Sequence, residues 1–161
     1  MSLVERPAVR RVRTALEALG SRARVIELAT TARTAADAAG ALGCQQGAIV
    51  KSLVFRVAGS PVLALIAGDR RARQERIAVA LDLEGPVARA DADTVRQATG
   101  YSIGGVPPVG HRVSLPTVMD ASLWRFPLVH AAAGHPHCVF GETPDHLASM
   151  TGAVVTADIA A

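Results

Sequence analysis

Apolar residues return at helical spacing at Val9, Val12, Leu16 and Leu19, behind Pro7 and ahead of Gly20, and predict a helix over residues 7–19. A short strand is expected at Arg24-Val25-Ile26-Glu27-Leu28. Thr34, with Asp37 three residues on, can cap an alanine-rich helix that ends at Gly43. Two β-rich runs, Ile49–Val57 and Pro61–Ala67, flank Ala58-Gly59-Ser60 and predict a hairpin. Beyond it, Asp69 can cap a helix reaching about Leu81, Val87-Ala88-Arg89 reads as a weak strand, and Asp91 can cap a helix to Ala98. Glycine and proline dominate residues 104–110. Strands are then expected near Thr117–Asp120, Leu128–Ala132 and His137–Phe140. A helix opened by Thr143-Pro144 and closed by Gly152 leads to a final strand, Val154–Ile159. This irregular alternation, without repeat or linker, predicts one α/β domain over residues 1–161 with a mixed, largely curved sheet.

Composition narrows the picture further. A chain of 161 residues, half of them hydrophobic, buries one substantial core and is short for two. Met1-Ser2-Leu3-Val4-Glu5-Arg6 lacks the apolar core of a signal peptide, and no later run approaches the roughly 20 apolar residues of a membrane helix. A soluble, cytoplasmic protein without membrane association is expected. Cys44 and Cys138 fit no CxxC pattern, so reduced thiols are the default. A net charge of +3 permits a polyanionic partner without requiring one. Among 17 basic residues Lys51 is the one lysine.

Strand alternation places Lys51 on the same face as Ile49, Leu53, Phe55 and Val57, so a cation points toward an apolar side. Such a lysine either snorkels to the margin, pairs with a carboxylate, or meets an anionic ligand. In Gly100-Tyr101-Ser102-Ile103-Gly104-Gly105-Val106-Pro107-Pro108-Val109-Gly110, flexible glycines adjoin rigid prolines. That loop reads either as a structural turn or as backbone N–H groups presented to a developing oxyanion. His135-Pro136-His137-Cys138 invites a zinc reading, but no HExxH or paired CxxC accompanies it. A Cys138 nucleophile lacks a flanking signature. Arg70, Arg71, Arg73 and Arg76 form a basic patch, either a solvated face or a contact for RNA phosphates.

The blocks Ile49-Val50-Lys51-Ser52-Leu53-Val54-Phe55, Thr99 to Gly110, and Leu115-Pro116-Thr117-Val118-Met119-Asp120-Ala121, with the closing Leu147–Ile159 segment, resemble the YbaK family in order and spacing. This family is also called the prolyl-tRNA-synthetase-associated editing domains. The resemblance implies a curved, barrel-like mixed sheet surrounded by helices, no metal or other cofactor, and hydrolysis of amino acids mis-attached to tRNA, commonly tRNA(Pro). It implies a catalytic site of Lys51, Gly104 and Gly105, with Val106, Pro107, Pro108, Gly110, Ala131, Ala133, Gly134 and Val139 binding substrate. Its partners would be the acceptor end of a mischarged tRNA and, as a second candidate, a prolyl-tRNA synthetase, with no DNA and with a monomer or weak dimer as the assembly. Many relatives carry a Gly-Gly-Lys-Arg-Gly-like turn where this chain has Ala133-Gly134-His135-Pro136-His137. Alternation puts Ala131 and Ala133 on one strand face and His130 and Ala132 on the other, both rich in methyl groups, which predicts a small, uncharged amino acid as the edited one. A catalytically silent tRNA- or synthetase-binding module of the same fold is the alternative.

Overall fold

The computed structural model describes residues 2–29 and 32–161. Within them the chain forms α1 (Pro7–Ala18), β1 (Ile26–Glu27), α2 (Ala35–Leu42), β2 (Ile49–Val57), β3 (Ser60–Ala67), α3 (Gln74–Ala80), β4 (Val87–Arg89) and α4 (Ala92–Thr99). It continues through β5 (Thr117–Asp120), β6 (Val129–His135), β7 (Cys138–Glu142), α5 (Pro144–Thr151) and β8 (Val154–Thr156). The strands make one mixed sheet in the order β1-β7-β6-β2-β3-β5-β8, with β4 also on β2. Pairs β2–β6, β3–β5 and β5–β8 are parallel, while β2–β3, β2–β4, β6–β7 and β1–β7 are antiparallel. None of the described helices is long and apolar enough to cross a membrane.

Both faces of the central strands are covered, so their sequences are nearly all apolar rather than alternating with polar residues. Val50, Val54, Leu63 and Leu65 face a core shared with Val9, Val12 and Leu16 of α1 and Leu147 of α5. Phe55, Val62, Ala64 and Ile66 pack on the other side against Ile77 of α3 and Ile159. A smaller cluster joins Ala38 and Ala39 of α2 to Ile49 and Val139.

Local chemistry starts three helices as their sequences predict. Thr34, Asp91 and Thr143 each accept a hydrogen bond from the backbone N–H three residues ahead, and left-handed glycines at 43, 100 and 152 close the same helices. Asp69 does not cap a helix. Residues beyond it pair with the chain end instead, through Arg71 N to Ala161 O, Ala161 N to Arg71 O and Arg73 N to Ile159 O, and α3 starts only at Gln74. The strand expected over residues 154–159 stops at Thr156 because the chain turns to make this contact. The first strand shrinks to Ile26–Glu27, a short edge on β7, whereas β6 runs on to His135 with a register shift after Ala132.

Asp120 fastens the end of β5. It is fully buried, and its carboxylate accepts from Ala67 N at 3.2 Å and Ser122 N at 2.9 Å. Asp120→Ala leaves both donors without their partner, Ala67 N in the buried interior, and is expected to cost about 2–3 kcal/mol. Thermal melting should register this as a Tm about 5–10 °C lower; an unchanged Tm would show that the carboxylate fastens nothing.

Candidate active site at a gap in the sheet

Strand β2 pairs with β3 along its whole length, but its other edge is divided. β6 pairs only at Ile49 and Val50, β4 only at Phe55 to Val57, and Lys51, Ser52 and Leu53 have no strand neighbour on that side among the described residues. Ala90 N–H donates to Val54 O at 3.1 Å, so the even-numbered residues of β2 turn their backbone groups toward this edge. The N–H and C=O of Ser52 therefore open onto the gap.

A cavity of about 470 Å³ surrounds that gap, lined by residues from both faces of β2. On one face lie Ile49, Lys51 and Leu53, with Arg89, whose β4 position pairs with Phe55, and His130, which pairs with Ile49. Arg33, Thr34 and the small alanines of α2 close this side. On the opposite face lie Val50, Ser52 and Val54 with Ala90, Val95, Val106 and Ala131. Among the described lining residues, Lys51, Arg33 and Arg89 carry positive charge and none is Asp or Glu.

Lys51 is half-buried, and its ammonium donates to Arg70 O. Burial holds its pKa below the ordinary lysine value; Arg71 and Arg89 push the same way, and Asp69 and Asp120 oppose them. Asp69 is itself engaged in a two-pronged pair with Arg125, both contacts at 2.8 Å, which keeps its carboxyl below the usual carboxylate value. His130 is half-buried on the lysine face, and burial lowers its pKa, which favours the uncharged ring.

The glycine-proline loop is held from beneath. Val106 and Val109 are buried in the main core, and Gly110 O accepts from Tyr101 Oη at 2.8 Å. His111 Nε2 contacts Pro107 O, and Arg11 both stacks over the Tyr101 ring and donates to Gly100 O. Gly105 lies flat on β6: its carbonyl accepts from Gly134 N at 2.9 Å, and a Cβ there would sit 3.0 Å from the His135 backbone. Gly104, at φ +93°, is exposed on the cavity side.

Of the residues singled out from the sequence, Lys51, Gly104, Val106, Ala131 and Val139 come together around the cavity. Gly105, Pro107 and Pro108 are buried behind it, and Gly110 packs beside Tyr101 and Ala15. Ala133 points into the main core, and Gly134 is pressed against α1, where a Cβ would meet Ala8 O at 2.8 Å. Ser52, His130, Ala132 and Arg89 line the cavity without having been singled out; the alternation within β2 and β6 carried the signal for the first three.

His135 and His137 stack edge to face at 5.3 Å, and His135 Nδ1 accepts from His137 N, which uses the pair locally. Among the described residues no three His, Cys, Asp or Glu side chains stand close enough to hold a metal ion. Cys138 is fully buried, and burial raises its thiol pKa, the reverse of what a nucleophile needs.

Residues 29–150 match the family model of the aminoacyl-tRNA editing domain. A solved structure described as a candidate trans-editing enzyme for prolyl-tRNA synthetase superposes with a TM-score of 0.88 at 42% identity, over 94% of this chain and 96% of that one. The uncharacterized protein YwhH of Bacillus subtilis is 29% identical over 136 residues, 84% of this chain and 85% of its own. A proline–tRNA ligase of a Geobacter species is 36% identical over 87 residues, 54% of this chain but only 15% of the ligase.

The lysine environment yields a stability test. Because the folded state disfavours the charged form of Lys51, the protonated side chain costs stability at neutral pH, and the cost is relieved as pH rises through the lowered pKa. Lys51→Met should therefore melt no lower than wild type at pH 7, with its relative advantage shrinking at alkaline pH. Calorimetry showing a large loss of Tm would make Lys51 a structural residue.

Proposed function

The chain belongs to the aminoacyl-tRNA editing domain family, and we propose that it is a trans-acting deacylase that hydrolyses the ester of a mischarged tRNA. The observation that carries the reading is the meeting of Lys51, Gly104 and Val106 around one cavity at the unpaired edge of β2. The acceptor end of a tRNA brings a terminal phosphodiester, a ribose and an acyl group. The face with Lys51, Arg33 and Arg89 suits the phosphodiester, and its lack of carboxylates avoids repelling it. The opposite face, lined by valines and alanines, suits a small acyl side chain.

Hydrolysis adds water to the acyl carbon and breaks its bond to the ribose oxygen, which leaves as a hydroxyl after taking up a proton. An ester is already activated, so orientation and stabilisation of the developing oxyanion supply most of the acceleration. Backbone N–H groups at the β2 gap and in the loop beside Gly104 are the natural donors, and Lys51 holds the substrate as a compact charge. The reaction needs no metal and no nucleophile from the protein. tRNA(Pro) carrying a small uncharged amino acid is the proposed substrate, in the cytoplasm; prolyl-tRNA synthetase is the proposed second partner, on the strength of the synthetase-linked relatives.

Lys51→Ala is expected to lower deacylation by about a hundredfold or more while the protein still melts cooperatively, and Lys51→Arg to rescue it poorly because a planar fork fills a different volume. Near-wild-type turnover in Lys51→Ala would remove the lysine from the site. Chelators should leave the rate unchanged, whereas inactivation reversed by zinc would return attention to the histidines. On one tRNA, alanyl, 2-aminobutyryl, seryl and cysteinyl esters should be cleaved faster than aspartyl or prolyl ones, neighbours in size differing by about 10- to 200-fold at most. Fastest cleavage of the aspartyl or prolyl ester would overturn this substrate class.

A further inference from the structure

Ser52 lines the cavity, and its hydroxyl oxygen is buried without a hydrogen-bond partner among the described residues. Native interiors rarely leave such a group unanswered, and where its residue lines a cavity, a ligand lodged there is the most direct partner. Its surroundings define that ligand. Ser52 shares its face of β2 with Val50 and Val54, and the neighbouring lining is Ala90, Val95, Val106 and Ala131. Among the described residues lining this face, Ser52 supplies the one polar side chain. The cations Lys51 and Arg89 are on the other face, with β2 between.

We propose that Ser52 determines specificity: its hydroxyl receives a hydroxyl on the acyl side chain, so that seryl and threonyl esters are preferred to the alanyl and 2-aminobutyryl esters that lack that hydroxyl. The inference rests on the deacylase reading and narrows its substrate class. The terminal phosphodiester is held on the cationic face, the ester crosses the free edge of β2, and the acyl side chain descends into the apolar face. There it meets one hydroxyl that both donates and accepts. An acyl chain ending in a methyl group leaves that hydroxyl unsatisfied, and a site built to pair a substrate hydroxyl discriminates against the analogue lacking it. A charged side chain finds no partner on this face.

The test compares wild type with Ser52→Ala on one tRNA charged in turn with serine, threonine, alanine and 2-aminobutyrate. The ratio of kcat/KM for seryl over alanyl ester, and for threonyl over 2-aminobutyryl, should fall about tenfold in the variant, the scale of one buried hydrogen bond. Ratios unchanged within about twofold would overturn the proposal, whether all four rates drop together or none does. Ser52→Cys, nearly isosteric and a weaker hydrogen-bonding group, should shift the ratios in the same direction and substitutes if Ser52→Ala fails to melt cooperatively. Calorimetric titration of wild type with amide-linked seryl- and alanyl-adenosine should show the seryl analogue binding tighter, and equal affinities would overturn the proposal. Wild type cleaving none of the four esters would reject the deacylase reading, while the titration would still decide the side-chain preference.

Discussion

Everything at this site depends on one interruption in backbone pairing. β2 is the strand on which the sheet is built, fully paired with β3, yet its other edge is shared by β6 and β4, which do not meet. Unpaired backbone groups inside a protein cost as much as lost hydrogen bonds, so a gap in a central strand persists only where solvent or a ligand can answer it. Because the strand is extended, the gap also places consecutive side chains on opposite walls of one cavity. Lys51 and Ser52 are one residue apart in sequence, and their chemistry is separated by the thickness of the sheet.

The loop carrying Gly104 is part of the same construction. Its valines are core residues, its carbonyls at Pro107 and Gly110 are held by His111 and Tyr101, and Gly105 lies so close on β6 that a side chain there would force the His135 backbone to shift. The prolines face inward and stiffen the turn rather than touching the cavity. Rigid presentation of backbone donors is what electrostatic stabilisation requires, since a loop that must reorganise during the reaction gives back much of what its dipoles supply.

Much of this was legible locally. Caps at Thr34, Asp91 and Thr143, glycine closures and the hairpin of β2 and β3 depend on neighbours within a few residues, and they form as their sequences predict. Asp69 shows where local signals lose. It has the chemistry of a cap, but the following residues gain two-way pairing with Ala161, and Asp69 gains Arg125 from 56 residues away. The facing of Ala131 and Ala133 follows from alternation, yet that Ala131 lines the cavity while Ala133 is sealed in the core depends on where β6 leaves β2, a long-range fact. Tyr101 and His111 were likewise silent as loop anchors, because their partners become visible only when the loop closes on itself.

The inventory of charges accounts for the kind of chemistry the site can perform. The described cavity lining has three cations and no carboxylate, and its one imidazole, His130, is the ordinary general-base candidate there. The burial that lowers the pKa of Lys51 also removes water that would screen its field, so each charge contact acts over a shorter dielectric path. Such a site is suited to a substrate that is already reactive and anionic at one end, and whose remaining barrier is one of placement. An aminoacyl ester on a phosphodiester chain meets both conditions. An amide of the same shape is less activated than the ester and would ask for more acid–base assistance than one histidine supplies.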